Sequence, residues 1–401
     1  MRWKRKWRVI CRSWVMSKVP AGWELKSLGE VAELQRGFDL PAKDRVDGNI
    51  PIISSGGYSG FHNEPRAMSP GIVTGRYGSI GDVYFIEEDF WPLNTSLWVK
   101  NFHGNEPKYL YYLLSSIDYK KFSDKTGVPG VNRNDLHAIK VFVPPYKEQT
   151  KIAKILSTWD KAIATTEKLI GNSQQQKKAL MQSLLTGKKR LPGFEGELIN
   201  STLGDACYIN PKKASRPEGG LVSFISMDSV SEDAKLIRTE VRNYDDVEKG
   251  FTSFSDNDVL VAKITPCFEN GKGAYLDELK NGVGFGSTEF HVLHAKKNTY
   301  SKFVYYVTNT DEFRVRGEAN MQGSAGQKRV TTDYLKQFPL KLPPLPEQQK
   351  IAAVLTAADN EIELLKKKLV FLKQEKTALM QQLLTGKRRV KINATEECMD
   401  A

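Results

Sequence analysis

The 401-residue chain offers few residues for metal or nucleophilic chemistry: five histidines and four cysteines. Cys11, Cys207, Cys267 and Cys398 stand far apart with no C-x-x-C pair, so the spacing predicts neither a zinc site nor a disulfide scaffold and fits a reducing compartment. His291 and His294 share a strand-like run and point to opposite faces, which argues against one shared metal. A nuclease-like set can be drawn from Asp258 with Glu278-Leu-Lys280, but a carboxylate-x-Lys pattern recurs by chance. There is no G-x-x-x-x-G-K-[ST] loop. Gly75-Arg-Tyr-Gly78-Ser-Ile-Gly81 leads into another strand-like run, Asp82–Ile86, where a cofactor loop should open a helix. Pro144-Pro145-Tyr146 matches the end of the Asn/Asp-Pro-Pro-Tyr/Phe motif of amino-methyltransferases. Val143 stands where that motif needs its polar residue, and Leu342 and Leu345 flank the second Pro-Pro, so both read as helix starts. We expect no catalytic residue and no metal ligand.

What the sequence does carry is two polar, glycine-bearing loops, each present twice. The first holds Arg76, Tyr77 and Ser79; its positional counterpart, Lys263 to Gly273, holds Lys263, Thr265, Asn270 and Lys272. The second pair is Gly127-x-x-Gly130-x-x-Arg133, with Asn132, and Gly323-x-x-Gly326-x-x-Arg329, with Gln327 and Lys328. Glycine lets backbone approach a phosphate or groove edge, and Arg or Gln can read guanine or adenine edges. One such loop is equally an ordinary surface turn. Its recurrence at the same place in two units points to DNA contact.

The elements that must hold these loops come from a duplication. A segment opening Pro144-Pro145-Tyr-Lys-Glu148-Gln149 and ending Leu-Leu-Thr-Gly187-Lys recurs without a gap as Pro343-Pro344-Leu-Pro-Glu347-Gln348 to Leu-Leu-Thr-Gly386-Lys, at an offset of 199 residues (343 − 144). That period is far too long for a solenoid. Each copy reads as one long helix with a heptad seam. In the second copy the seam runs Ile351, Leu355, Ala358, Ile362, Leu365, Leu369, Leu372, Lys376, Leu379, Leu383; in the first it runs Ile152, Leu156, Trp159, Ile163, Thr166, Ile170, Ser173, Lys177, Leu180, Leu184. The prolines forbid extending the helix backwards and the glycines sit where a C-terminal cap belongs. About 37 residues at ~1.5 Å each make a rod of roughly 55 Å. Two rods in one chain bury their seams by pairing antiparallel, which sets Trp159 against Lys376 and Ala358 against Lys177.

Around the helices lie two globules rich in short strand-like runs, among them Gly71–Thr74, Ser96–Val99, Val222–Ile225, Asp258–Val261 and Phe290–Leu293. Each opens on Leu-Gly-acid (Leu28-Gly29-Glu30, Leu203-Gly204-Asp205), carries a late helix-like piece (Lys108–Leu114, Lys302–Val307), and closes on a strand into Pro-Pro (Ile139–Val143, Phe338–Leu342). The fold class is therefore α+β: two globules of mixed short strands and helices, separated by two long helices that pair as an antiparallel coiled coil, with internal pseudo-twofold duplication. We divide the chain into a basic leader (1–18), first globule (19–146), first spacer helix (147–190), second globule (191–345), second spacer helix (346–389) and tail (390–401).

The formal charge is +12, with 59 Lys plus Arg against 47 Asp plus Glu, which favours an anionic partner. Six of those charges lie in residues 1–15 beside Trp3, Trp7 and Trp14. This stretch lacks the apolar core of a signal peptide. It is either a cationic surface helix or an upstream translation ahead of a start at Met16, and we favour the second, which leaves +6 (12 − 6). No apolar run reaches the ~20 residues of a membrane span.

Two variable globules, each followed by a near-identical helix from Pro-Pro-x-x-Glu-Gln-x-x-Ile-Ala to Leu-Leu-Thr-Gly-Lys, resemble the specificity subunit of type I restriction-modification systems. The likeness covers Met16 to Arg389. Its marks are Pro343-Pro-Leu-Pro-Glu-Gln-Gln-Lys-Ile-Ala352 and Met321-x-Gly-Ser-Ala-Gly-Gln-x-Arg-Val330; the first globule departs, with Gly-Val-Asn-Arg at 130–133 against Gly-Gln-Lys-Arg at 326–329. The resemblance implies a non-catalytic subunit in which each globule is a target-recognition domain for one half of a split, asymmetric site on double-stranded DNA. The helices would act as a ruler, longer than one DNA turn of ~35 Å. They would also dock two modification (methyltransferase) subunits, joined by restriction (translocase and nuclease) subunits, in a bacterial or archaeal cytoplasm and away from membrane. S-adenosylmethionine, ATP and magnesium would belong to those partners, with no cofactor in this chain. Two other classes fit the residues alone: a stand-alone DNA-binding regulator and a non-catalytic coiled-coil scaffold.

Overall fold

The computed structural model describes residues 19–122, 130–324 and 326–392. The leader and its alternative start at Met16, the tail beyond 392, Cys11, Cys398 and Gly127 lie outside the described residues. The chain forms two compact units, Met1–Glu167 with Lys367–Ala401, and Lys168–Lys366. The units do not follow the six-segment division. Each combines one globule with the beginning of one long helix and the end of the other.

In the first unit the strand Glu24–Ser27 pairs antiparallel with Lys140–Val143, Glu24 opposite Val143, so the globule's first and last strands close on each other. Between them runs an antiparallel sheet in the order Glu33–Arg36, Ser96–Asn101, Gly71–Gly75, Val83–Ile86. A second sheet orders Gly57–His62, Ile50–Ser54 and Trp91–Pro92. The second unit repeats the closure with Ile199–Thr202 on Pro339–Leu342. It also repeats the main sheet, in the order Cys207–Ile209, Phe290–Ala295, Val259–Ala262, Gly273–Tyr275. Its outer sheet has four strands where the first unit has three: Glu240–Asn243, Leu221–Ile225, Val283–Gly286, Thr252–Ser255. The Leu-Gly-acid signatures are short helices fixed by capping boxes. Glu30 accepts from the Ser27 backbone N–H at 2.7 Å, and Asp205 from that of Thr202 at 3.0 Å.

The long helices are Tyr146–Leu184 and Leu345–Leu384. Every seam site named above is buried or half-buried. Ile152, Ala153 and Leu156 join Leu383 and Leu384 in the core of the first unit; Ile351, Ala352 and Leu355 join Met181, Leu184 and Leu185 in that of the second. Within each unit the start of one helix therefore meets the end of the other, as antiparallel packing requires. The seam lysines find carboxylates one residue beyond the partners that spacing named. Lys376 donates to Asp160, and Lys177 to Asp359 at 2.6 Å. Each lysine also lies over a ring from its globule: Lys376 is 5.3 Å from the centre of Tyr112 and Lys177 5.6 Å from that of Tyr306. The same tyrosines donate to Asp160 at 2.6 Å and Asp359 at 2.9 Å.

The Pro-Pro-x-x-Glu-Gln motif is a buried clamp. Gln149 Nε2 donates to the Pro144 carbonyl at 2.9 Å and to Asn105 Oδ1 at 2.8 Å, while its Oε1 accepts from the Glu106 N–H at 2.9 Å. Gln348 does the same with Pro343 O (2.8 Å), Asn298 O (3.1 Å) and the Tyr300 N–H (2.8 Å). Beside them Glu148 and Glu347 are buried carboxylates, tolerable only when paired. Arg190 forks onto Glu347, its Nε at 2.8 Å, and Arg389 onto Glu148, which Trp23 Nε1 also reaches at 3.1 Å. These arginines end the basic runs Lys188-Lys-Arg190 and Lys387-Arg-Arg389, just past the helix ends. The turns that deliver them need Gly187 and Gly386, both at φ +69°, where a side chain would strike Leu198 and Pro20 respectively.

Candidate nucleic-acid interface

The polar loops that the sequence pairs are joined by backbone in both units. In the first, the strand Gly71–Gly75 ends in a turn so tight that a Cβ on Gly75 would lie 1.7 Å from the Ser79 carbonyl oxygen. Arg76 and Tyr77 then donate backbone N–H to Thr95 O at 2.9 and 3.2 Å. Tyr77 bridges Gly130, and the Val131 N–H donates to Arg76 O at 3.0 Å. A Cβ on Gly130 would come within 2.6 Å of the Tyr77 ring, so the close approach requires glycine here. The Arg76 guanidinium stacks 4.5 Å from the centre of that ring, which holds a long cation in a defined pose. Asn132 caps the short helix Arg133–His137, its Oδ1 accepting from the Asn134 N–H at 2.9 Å. Tyr77, Ser79, Asn132 and Arg133 are exposed and Arg76 is half-exposed.

In the second unit Ile264 bridges Arg329, the Thr265 N–H donates to Lys328 O and the Val330 N–H to Lys263 O, both at 2.9 Å. Gln327, Lys328 and Arg329 are exposed at this junction. The other candidates there are spent within the unit. Lys263 donates to Thr288 O at 2.9 Å and burial lowers its pKa; Thr265 donates to Glu269 at 2.8 Å. Asn270 Nδ2 reaches Glu232 at 2.8 Å and Lys272 Nζ reaches Met227 O at 3.1 Å, so both tie down the turn around residues 227–232. The geometry thus gathers Arg76, Tyr77, Asn132 and Arg133 in one unit and Lys263, Thr265, Gln327, Lys328 and Arg329 in the other.

At the second junction the sequence reading missed Glu289, and it considered His291 only as a metal ligand. Glu289 takes Arg329 in a forked ion pair: Nε lies 2.9 Å from Oε2 and Nη2 lies 2.8 Å from Oε1. His291 anchors the loop from below. Its Nε2 faces Val330 O at 3.0 Å and its Nδ1 faces Asn210 Nδ2 at 3.2 Å. The carbonyl can only accept, and Asn210 Oδ1 is already taken by the Val292 N–H at 3.0 Å, so the ring is the neutral Nε2–H tautomer. Burial pushes its pKa down to about 4. His294, on the opposite face, pairs with Asp258 at 2.7 Å, which takes that carboxylate away from any nuclease-like set. Among the described residues no cluster of three or more His, Cys, Asp or Glu could hold a metal.

This arrangement is a pair of polar junctions at the same place on two like frames. The family model for the type I restriction modification DNA specificity domain matches residues 20–172 and again 197–374. The chain belongs to that family. Among individual relatives, the type I restriction enzyme EcoAI specificity subunit of Escherichia coli is 39% identical over 153 residues, 38% of this chain but 26% of that protein, so the chain spans about a quarter of its length. The MjaVIII specificity subunit of Methanocaldococcus jannaschii is 26% identical over 301 residues, covering 71% of this chain and 70% of that one. The crystal structure of a type I restriction-modification S subunit from M. genitalium shares the fold at a TM-score of 0.60 with 14% identity, covering 94% of this chain and 99% of that one.

Proposed function

We propose that the chain is the non-catalytic, sequence-reading subunit of a type I restriction-modification complex, with each unit reading one half of a split site on duplex DNA. The observation that carries this reading is the duplicated junction. Two loops distant in sequence are zipped together at the same place on the same sheet in both units, and each junction presents a fixed arginine. Fixed arginines beside glycine turns suit base edges in a major groove. The two units differ in loop sequence and in the size of the outer sheet, so the half-sites are expected to differ.

The long helices are assigned to the spacer and to docking of two modification subunits, with restriction subunits joining them. S-adenosylmethionine, ATP and magnesium would be bound by those partners. A cytoplasmic location follows from that role; among the described residues no helix is long and apolar enough to cross a membrane. The test is to co-express the chain with its modification subunits in a methylation-free host and sequence the methylome. A two-part motif with an unread spacer is expected; unmethylated DNA, or one continuous motif, would contradict the proposal.

A further inference from the structure

We infer that Glu289 is a positioning residue for base reading in the second unit: it fixes the Arg329 guanidinium so that one two-donor edge faces outward for guanine. This rests on the reading that the second junction contacts DNA.

Arg329 has five N–H groups in a rigid fork. Glu289 takes the Nε–H and one Nη2–H, at 2.9 and 2.8 Å, and the Gln327 carbonyl takes one Nη1–H at 3.3 Å. One N–H on Nη1 and one on Nη2 are left without a partner among the described residues. We assign to the Gln327 carbonyl the Nη1–H on the Cδ side, which points back toward the chain; the other Nη1–H and the outer Nη2–H then lie side by side at the end of the fork, the spacing that matches the O6 and N7 acceptors of guanine. An unrestrained arginine would give up rotamer freedom to reach this pose; here the carboxylate has already selected it. Glu289 is itself held. Its own N–H is bonded to Ser287 Oγ at 3.2 Å and its carbonyl accepts from the Lys263 N–H at 2.7 Å. The ion pair is part-exposed, with 46% of the Arg329 side chain and 26% of the Glu289 side chain accessible, so the fork can meet DNA without breaking the pair. The hydrogen bonds from Arg329 hold the Glu289 carboxyl below the usual carboxylate range, so it stays charged at neutral pH. The first unit reaches the same end differently, with the Tyr77 ring under Arg76.

A carboxylate beside a phosphate-binding arginine would only weaken binding. One that orients a base-reading arginine costs affinity but supplies discrimination. The two roles separate in one experiment. The full chain, as wild type, Glu289→Gln, Glu289→Asp and Arg329→Ala, is incubated with a randomised-duplex library, and bound DNA is sequenced at several salt concentrations. Thermal unfolding of each variant is measured alongside. The inference expects Glu289→Gln to fold like wild type, to bind bulk duplex equally or more tightly, and to lose roughly tenfold or more discrimination at one base pair. That base pair should be the one erased by Arg329→Ala, and Glu289→Asp should retain part of the preference. If Glu289→Gln leaves the selected motif intact, the inference is overturned. If Glu289→Gln fails to fold, Glu289→Asp decides: its arm is one methylene too short to hold the same fork, so a preference at that base pair undiminished from wild type also overturns the inference. A wild-type chain that selects no motif overturns the underlying reading of the junction instead.

Discussion

Gln348 and Gln349 are neighbours on one helix, and the same substitution should be costly at the first and nearly neutral at the second. Gln348 is fully buried and makes three hydrogen bonds, to Pro343 O at 2.8 Å, Asn298 O at 3.1 Å and from the Tyr300 N–H at 2.8 Å. Gln349 is exposed. Gln348→Ala removes all three bonds and strands two carbonyls and one N–H. At ~1 kcal/mol for each lost bond, plus part of the desolvation cost of the stranded groups, the loss is about 3–5 kcal/mol. For a unit the size of Lys168–Lys366 each kcal/mol shifts the melting midpoint by roughly 2–4 °C, so a fall on the order of 10 °C is expected. Gln349→Ala should stay within about 0.5 kcal/mol of wild type. Urea and thermal unfolding followed by far-UV circular dichroism measures both. Gln149→Ala is the mirror test, and no tryptophan lies between Lys168 and Lys366, so tryptophan fluorescence reports the first unit alone. If Gln348→Ala costs under 1 kcal/mol, or no more than Gln349→Ala, the clamp account of the Glu-Gln motif is refuted.

Three further outcomes follow from the same geometry. His291 titrates near 4 when folded and near its ordinary 6.5 when unfolded, so the unfolded chain binds the extra proton between those values. Stability of the second unit should then be full above about pH 6.5 and fall by about 3 kcal/mol as pH drops toward 4. Lys263 and Glu289 also face this ring, so the measurement is the difference in pH profile between wild type and His291→Gln, which should remove that slope. Gly130→Ala forces the Tyr77 ring to move and should weaken DNA selection by the first unit while the overall melting profile holds; an unchanged motif would refute the role of that junction. Tyr306→Phe removes the bonds to Asp359 and Thr356 and should cost about 2–3 kcal/mol, with Tyr112→Phe, which loses Asp160 and Ser157, behaving alike in the other unit; a difference between the two above about 1 kcal/mol would argue against equivalent frames.

The duplication, the helix limits near Pro-Pro and the capping glycines were legible because each rests on local chain chemistry: proline cannot donate and glycine accepts positive φ. The heptad seam was legible for the same reason, since period alone fixes one face. Long-range partners were not. Glu289 is 40 residues from Arg329 and looks like any surface acid in the sequence. The Arg190–Glu347 and Arg389–Glu148 clamps span 157 and 241 residues, yet a signal was present. Both members recur at the 199-residue offset, and a duplicated Arg with a duplicated buried Glu is a pairing that could have been proposed. For Asn270 and Lys272, residue type suggested DNA contact, while their side chains close a turn within the unit.

The central claim is that two junctions read two separate halves of one DNA site. It is tested most directly by comparing the methylation motif of the assembled complex carrying wild-type chain with those of complexes carrying Arg76→Ala and Arg329→Ala. Relaxation of one half-site by the first substitution and of the other half-site by the second is the predicted result. Relaxation of the same half by both, or an unaltered motif from both, would contradict the account.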